Sequence, residues 1–446
     1  MTAAGASREQ PRVAVVGGGL AGITAALLLA DAGHRVVLHE ARPRLGGLTH
    51  SFRRDGPGGT MWVDNGQHVF LRCCTSYRAL LDRLGSTGGT ILQPRLDVVV
   101  RSETRPAVGR LRRTGLPAPL HLAATLARYR WLTPGDRARV VPAALALGRV
   151  DREDPATDEV SFGDWLTRHG QSPKAVEAVW DLIGVATLNA PAERASLALA
   201  ATVFQLGLLD RADAADIGWA DVPLQLLHGD AAQRALAEVG VEVRLGARIA
   251  DLDGLHAAAD HVVLAVPPTE AQRLAGAAVI APDDWAAELG SSPIVNLHLV
   301  VDRPVLEHDF VAAVDGPLQW VFDRTAPSGL ATGQYLAVSL SAADALIDVP
   351  VAELKSRFWP HLVGLLPGLT RAEVIDFFVT RERHATFRPA PGSARFRPGT
   401  RTHRPDLHLA GAYTATGWPA TMEGAVRSGE AAAGAVLSQT PRRAAA

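Results

Sequence analysis

Residues 12–40, "RVAVVGGGLAGITAALLLADAGHRVVLHE", restrict the possible folds more than any other stretch of the chain. Residues 13–16 form an unbroken apolar run, the pattern of a parallel strand covered on both faces. Gly17, Gly18 and Gly19 follow, then Leu20, Ala21 and Gly22. Residues 23–32 read as a helix, with Gly33 at its C′ position. Residues 35–39 read as a second strand, closed by Glu40. This order makes a βαβ nucleotide-binding unit. Gly17 allows the tight turn, Gly19 lets backbone approach a pyrophosphate, and Gly22 lets helix and strand pack closely. The helix N-terminus presents free N–H groups to phosphate. Glu40, at the end of the second strand, can accept from ribose hydroxyls.

The chain has 446 residues, enough for two or three compact units with a large core. It is 47% hydrophobic and 20% charged, as in ordinary globular proteins. A net charge of −1 gives no sign of a nucleic-acid partner. The only cysteines, Cys73 and Cys74, suit a reducing compartment and read as small packing residues near a helix start. No His/Cys cluster has metal-ligand spacing, so no metal is expected. The N-terminal "MTAAGASREQP" lacks the apolar core of a signal peptide. The longest charge-free apolar run, 195–209, is shorter than the ~18–20 residues that span a bilayer. These features point to a cytoplasmic protein. Residues 242–254 and 261–268 read as strands, 294–301 as β-like, and "GPGG" at 56–59 as a hairpin loop. Residues 151–222 read as largely helical.

Directly after Glu40 comes "ARPRLGGLTHSF", and near the other end "LAGAYTATGWPATMEGAVRSGEAAA". Together these resemble the flavoprotein superfamily of amine oxidases and carotenoid desaturases. The resemblance covers nearly the whole chain. It implies an α/β fold, with a discontinuous Rossmann-like FAD-binding domain and an α+β substrate-binding domain. The implied FAD segments are 1–105, 223–290 and 395–446; the implied substrate segments are 106–222 and 291–394. FAD is expected to be noncovalent, since no Cys lies near the C-terminal element. The pattern assigns Gly17, Gly19 and Gly22 (with Leu20 and Ala21) to the pyrophosphate, and Glu40 to the ribose. Ala41, Arg42, Gly46, Gly47 and Leu48 would line the cleft. Gly66, Gln67, His68 and Val69 would cross the isoalloxazine. Val243 would pair with adenine. Gly411, Ala412, Thr421 and Met422 would complete the flavin site, with a helix N-terminus aimed at the ring. Two residues depart from the pattern: Ala412 replaces an acid, and Leu48 replaces an Arg common in amine oxidases.

"WVDNGQHVFL", "LPAPLHLAATLARY", "ATLNAPAERAS" and "ATGWPATMEGAVRSG" resemble, more narrowly, the hydroxysqualene dehydroxylases of squalene and hopanoid biosynthesis. That resemblance implies reductive removal of a hydroxyl: protonated, it leaves as water, and hydride from N5 of reduced flavin quenches the allylic cation. His68 is the candidate proton donor, and Asp64 is expected to be structural, bonded within its own turn. A carotenoid-type desaturase, an amine oxidase and a non-catalytic prenyl-chain-binding relative are the alternatives. Against amine oxidase, neither lysine (Lys174, Lys355) falls in a flavin-facing segment; Asn296 is the polar residue of the relevant strand. The expected partners are a hydrophobic isoprenoid and an unidentified electron donor. Residues 119–132 place Leu122, Leu126 and Tyr129 at i, i+4, i+7, with Arg128, Arg130 and Trp131 beside them. They fit either a helix lying peripherally on the inner membrane face or one packed on the substrate domain.

Overall fold

The computed structural model describes residues 10–439. The polar start of the chain, through residue 9, and its Ala-rich end from 440 lie outside the described residues.

A five-stranded parallel sheet runs in the order 242–245, 35–40, 12–16, 261–264, 407–409. Val13 to Val16 are all buried, because helices cover both faces. Helix Leu20–Asp31 fills one side and is itself almost wholly buried. The C-terminal helix Met422–Leu437 lies against it so closely that a Cβ on Gly429 would sit 2.3 Å from the Ala21 carbonyl oxygen. Strand Arg12–Val16 pairs with Arg35–Glu40 on one side and His261–Leu264 on the other. The chain direction splits there, which opens a crevice at the C-terminal edge of the sheet.

A seven-stranded mixed sheet is the second layer, built on Ser292–Val301, Gln334–Leu340, Trp320–Asp323 and Phe310–Val314. Alternation divides its faces. Val295, Leu297, Leu299, Leu336 and Val338 pack with Leu354, Phe358 and Leu362 of helix Val351–Leu365. The other face carries Asn296, His298, Tyr335, Ala337, Ser339, Trp320 and Phe322, the alternate positions of the same strands. A small sheet of Val69–Leu71, Ile217–Ala220 and Thr90–Leu92 completes the arrangement.

The hairpin at 56–59 forms between Ser51–Gly56 and Gly59–Asp64. Cys74 directly precedes helix Thr75–Arg83 without a side-chain capping bond, and both cysteines are free. The strand expected over 242–254 ends at Leu245; Asp253–Ala258 is helical instead. The amphipathic helix expected at 119–132 is limited to a short turn and Ala123–Arg128. Tyr129 and Trp131 belong to the protein core, at 1% and 3% exposure, and so do not face a membrane. Leu122 and Leu126 pack against the same core. Several cations of this region are spent internally: Arg110 and Arg112 pair with Asp97, and Arg113 with Asp216. Among the described residues, no helix is long and apolar enough to cross a membrane.

Candidate functional site

Four chain segments meet at the C-terminal edge of the parallel sheet. The Gly-rich turn leaves the first strand, and Glu40 ends the second. Ala265 follows the fourth strand, and Gly411 lies just past the fifth. A Cβ on Gly22 would lie 1.9 Å from the Gly17 carbonyl oxygen, so only glycine lets the turn fold onto its helix. The helix begins at Gly19, which offers no side-chain cap, and its first N–H groups stay open for an anion.

The segment after Glu40 folds back onto this turn. Gly46 N–H donates to the Gly18 carbonyl at 2.8 Å. A Cβ on Gly47 would stand 2.9 Å from Gly19 Cα. Bare backbone therefore faces bare backbone, forming a cradle that side chains would fill. Glu40, 9% exposed, accepts from Gly18 N at 2.6 Å and Arg42 N at 2.7 Å. Those bonds fix the carboxylate and leave acceptor capacity for hydroxyls. Val243 sits on the edge strand, two residues before Leu245, which is in register with Glu40.

Ala41, Arg42 and Leu48 are exposed. Arg44 turns inward instead, donating to the Gly47 carbonyl at 3.0 Å, and burial lowers its pKa. His50, next along, is held down to about 4 by burial and by the Arg44 charge. Both lie in the stretch that carries the family resemblance, but the sequence assigns neither a site role; only the fold-back reveals their inward placement.

At the C-terminal end, Gly411 N–H donates to Ser428 Oγ at 2.8 Å. Thr421 caps helix Met422–Leu437 by accepting from Gly424 N at 3.1 Å, with Met422 as the first helical residue. Gly411, Ala412, Thr421 and Met422 are all half-buried. Glu423 turns away and caps the neighbouring helix, accepting from Tyr77 N at 2.7 Å.

Gly66, Gln67, His68 and Val69 form the bridge between the two layers. A cavity beside them is lined by Asp64, Gln67, His68, Val69, Trp219, Ala220, Leu224, Phe322 and Arg324. His68 Nδ1 is 3.0 Å from the Gly66 carbonyl, which sets Nδ1–H as the donor and leaves Nε2 as an acceptor. Burial lowers the His68 pKa, with the Arg324 charge as a smaller cause. Asn296 is fully buried on the facing sheet, near Gly66, and its Oδ1 has no partner within the protein. Gln67 Nε2 is likewise unpaired. Orphaned polar atoms beside a glycine cradle and a fixed carboxylate fit a polar ring system bound against a dinucleotide.

Asp64 does not bond within its own turn. It accepts from Ser51 Oγ at 2.6 Å and Leu224 N at 3.1 Å, and pairs with Arg324 Nη2 at 2.7 Å. Arg324 also donates to the Ala220 carbonyl at 2.7 Å. This buried pair clamps three sheets together. Nothing local marks Arg324, because its partners lie far away in sequence. Lys174 pairs with Glu177 and Asp315, and Lys355 stands over Phe377, so neither lysine faces the cavity. Among the described residues no cluster could hold a metal ion.

Residues 20–437 match the family model for flavin containing amine oxidoreductases. The chain belongs to that family. It is an FAD-dependent oxidoreductase. Among its relatives is the hydroxysqualene dehydroxylase of Rhodopseudomonas palustris, 30% identical over 96% of this chain and 98% of that protein. The zeta-carotene desaturase of Zea mays is 25% identical, covering 94% of this chain and 82% of that protein. The fold matches cyclohexylamine oxidase from Brevibacterium oxydans with a TM-score of 0.72, at 18% identity and over 97% of this chain and 99% of the other. The α/β expectation and the FAD expectation both hold.

Proposed function

We propose that this enzyme removes the hydroxyl of hydroxysqualene reductively, giving squalene. The observation that carries the reading is a cavity with His68 as its polar corner beside Val69, Trp219, Leu224 and Phe322, where Asp64 and Arg324 are paired with each other and no lysine faces the space. Full-length similarity to a hydroxysqualene dehydroxylase supports it. Reduced FAD, when bound, supplies a hydride. The protein's residues must do the rest: hold a long apolar chain, place its one hydroxyl at the polar corner, and deliver a proton there. The C–O bond breaks with its electron pair on oxygen, which leaves as water after taking that proton. One alcohol, one proton and one hydride thus give one hydrocarbon and one water.

His68 serves as donor only in its doubly protonated form, since the neutral tautomer set by Gly66 has no Nε2 proton. Because burial lowers its pKa below 6.5, that form is a minority at pH 7 and grows as pH falls. Turnover is therefore expected to rise on moderate acidification. In His68→Gln the flavin spectrum should persist, turnover should drop by about 10²-fold or more, and the acid rise should vanish. Unchanged turnover would remove His68 from the chemistry.

The reading is tested by anaerobic incubation of chemically reduced enzyme with hydroxysqualene, scored by squalene formation. Similarity to a zeta-carotene desaturase supports the second reading, a desaturase acting on long isoprenoids. Oxidised enzyme with phytoene is the parallel arm. Desaturation there, with no squalene in the first arm, would replace the dehydroxylase reading.

A further inference from the structure

We propose that Trp320 and Trp219 form an aromatic wall that binds positive charge developing on the substrate's allylic carbons. This deepens the dehydroxylase reading and rests on it. Only 5% of the chain is aromatic, yet four such residues gather at one seam between two sheets. Trp219 meets Phe310 edge-on with centroids 5.4 Å apart. Phe310 lies 5.9 Å from both Trp320 and Phe322, and Trp320 stacks with Phe322 at 6.3 Å. Phe310 and Phe322 are buried, whereas Trp219 and Trp320 are half-buried. Trp320 Nε1 donates to the Leu182 carbonyl at 3.3 Å, which pins the indole.

Strand register places Trp320 across from a polar row. Ser339 lies between Asn296 on one neighbouring strand and Trp320 on the other. One row further, Ala337 lies between His298 and Phe322. Small residues on the middle strand thus separate a polar row, Asn296 and His298, from an aromatic row, Trp320 and Phe322, with about 10 Å between their strand axes. In the proposed pose the allylic alcohol has its oxygen on the Asn296 side and its carbons on the Trp320 side.

Charge balance explains why rings are needed. The only carboxylate lining the adjoining cavity, Asp64, is already bound to Arg324. A cation formed there has no free anion to meet. Negative ring faces are the remaining stabilising surface, and desolvation strengthens them. Rings also avoid a hazard: a free carboxylate beside an allylic cation would capture it covalently.

The test uses the oxidised FAD holoenzyme and two probes of equal chain length, dodecyltrimethylammonium and 1-dodecanol, followed by flavin absorbance. The wild type should prefer the cation by about tenfold or more. Trp320→Phe should keep part of that preference. Trp320→Leu and Trp219→Leu should reduce it while binding dodecanol as before, which also shows that they fold. In turnover, Trp320→Leu should lower kcat about tenfold with KM little changed, because the charge exists only beyond the ground state. A raised KM with kcat intact would mean a mere lining role and overturn the proposal. Equal wild-type affinity for the two probes would also overturn it. Flavin reduction by dodecylamine would overturn it too, assigning the wall to an amine substrate. Absence of squalene formation sinks the dehydroxylase reading separately, since probe binding requires no turnover.

Discussion

Arg324→Met is expected to destabilise the protein by about 3–5 kcal/mol, as for other buried ion pairs broken on one side. Arg324 and Asp64 have side chains only 8% and 7% exposed, so the orphaned carboxylate has little water to turn to. The loss extends beyond charge. Arg324 Nη1 also satisfies the Ala220 carbonyl, and Asp64 holds Ser51 Oγ and Leu224 N. Urea unfolding monitored by far-UV circular dichroism measures the cost. Arg324→Lys should fall between, since one ammonium cannot span both partners in the guanidinium's planar geometry. The double variant Asp64→Leu/Arg324→Met should recover part of the loss, because no uncompensated charge remains. A single variant within about 0.5 kcal/mol of wild type would show that the clamp is not structural. Because the same pair lines the cavity beside His68, weaker FAD retention should accompany the destabilisation.

Acidification should unfold the protein over a defined window. Burial holds His228 and His298 to about 3, well below the ordinary 6.5. Their partners fit the neutral form. His228 is 2.8 Å from Tyr77 Oη, and His298 lies between Tyr335 Oη and Thr380 Oγ1, so each ring has neutral hydrogen-bond partners, and the Arg54 charge further lowers His298. Such a group binds more protons unfolded than folded. Its stabilisation is complete above pH 6.5 and is lost as pH falls toward 3. Each histidine contributes a slope of up to about 1.4 kcal/mol per pH unit within that window. Asp181 opposes them: burial pushes it up to about 6, so it favours the folded state as pH drops from 6 toward 3.8. His50 and His408, both lowered to about 4 chiefly by burial, add to the two histidines against the one aspartate, so stability should still decline through that range. Melting temperature against pH checks this, and His298→Gln should flatten the acid limb. A midpoint constant from pH 6.5 to 4 would contradict the neutral burial of both rings.

The nucleotide unit at residues 12–40 could be read directly, because its determinants are local. Apolar strand, glycine turn, helix and terminal acid all lie within one stretch, and backbone geometry links each to its neighbour. The same holds for the C-terminal helix start at Thr421–Met422, where a capping hydroxyl precedes a long apolar pattern. Residues 119–132 left two readings open, because an apolar stripe is equally suited to lipid and to a protein core. Here the core takes Tyr129 and Trp131.

Asp64 shows the opposite limit. Its turn context suggested a local bond, whereas its partners come from residues 51, 224 and 324. The aromatic seam is similar, since Trp219 and Trp320 are brought together only when two sheets pack. Local sequence carried the cofactor class, because glycine turns and a strand-end acid specify a dinucleotide by short-range geometry. Tertiary packing chose which arginine turns inward, where a buried carboxylate finds its counter-charge and which rings meet at the seam between two sheets. Those contacts join residues distant along the chain, and no local periodicity encodes them.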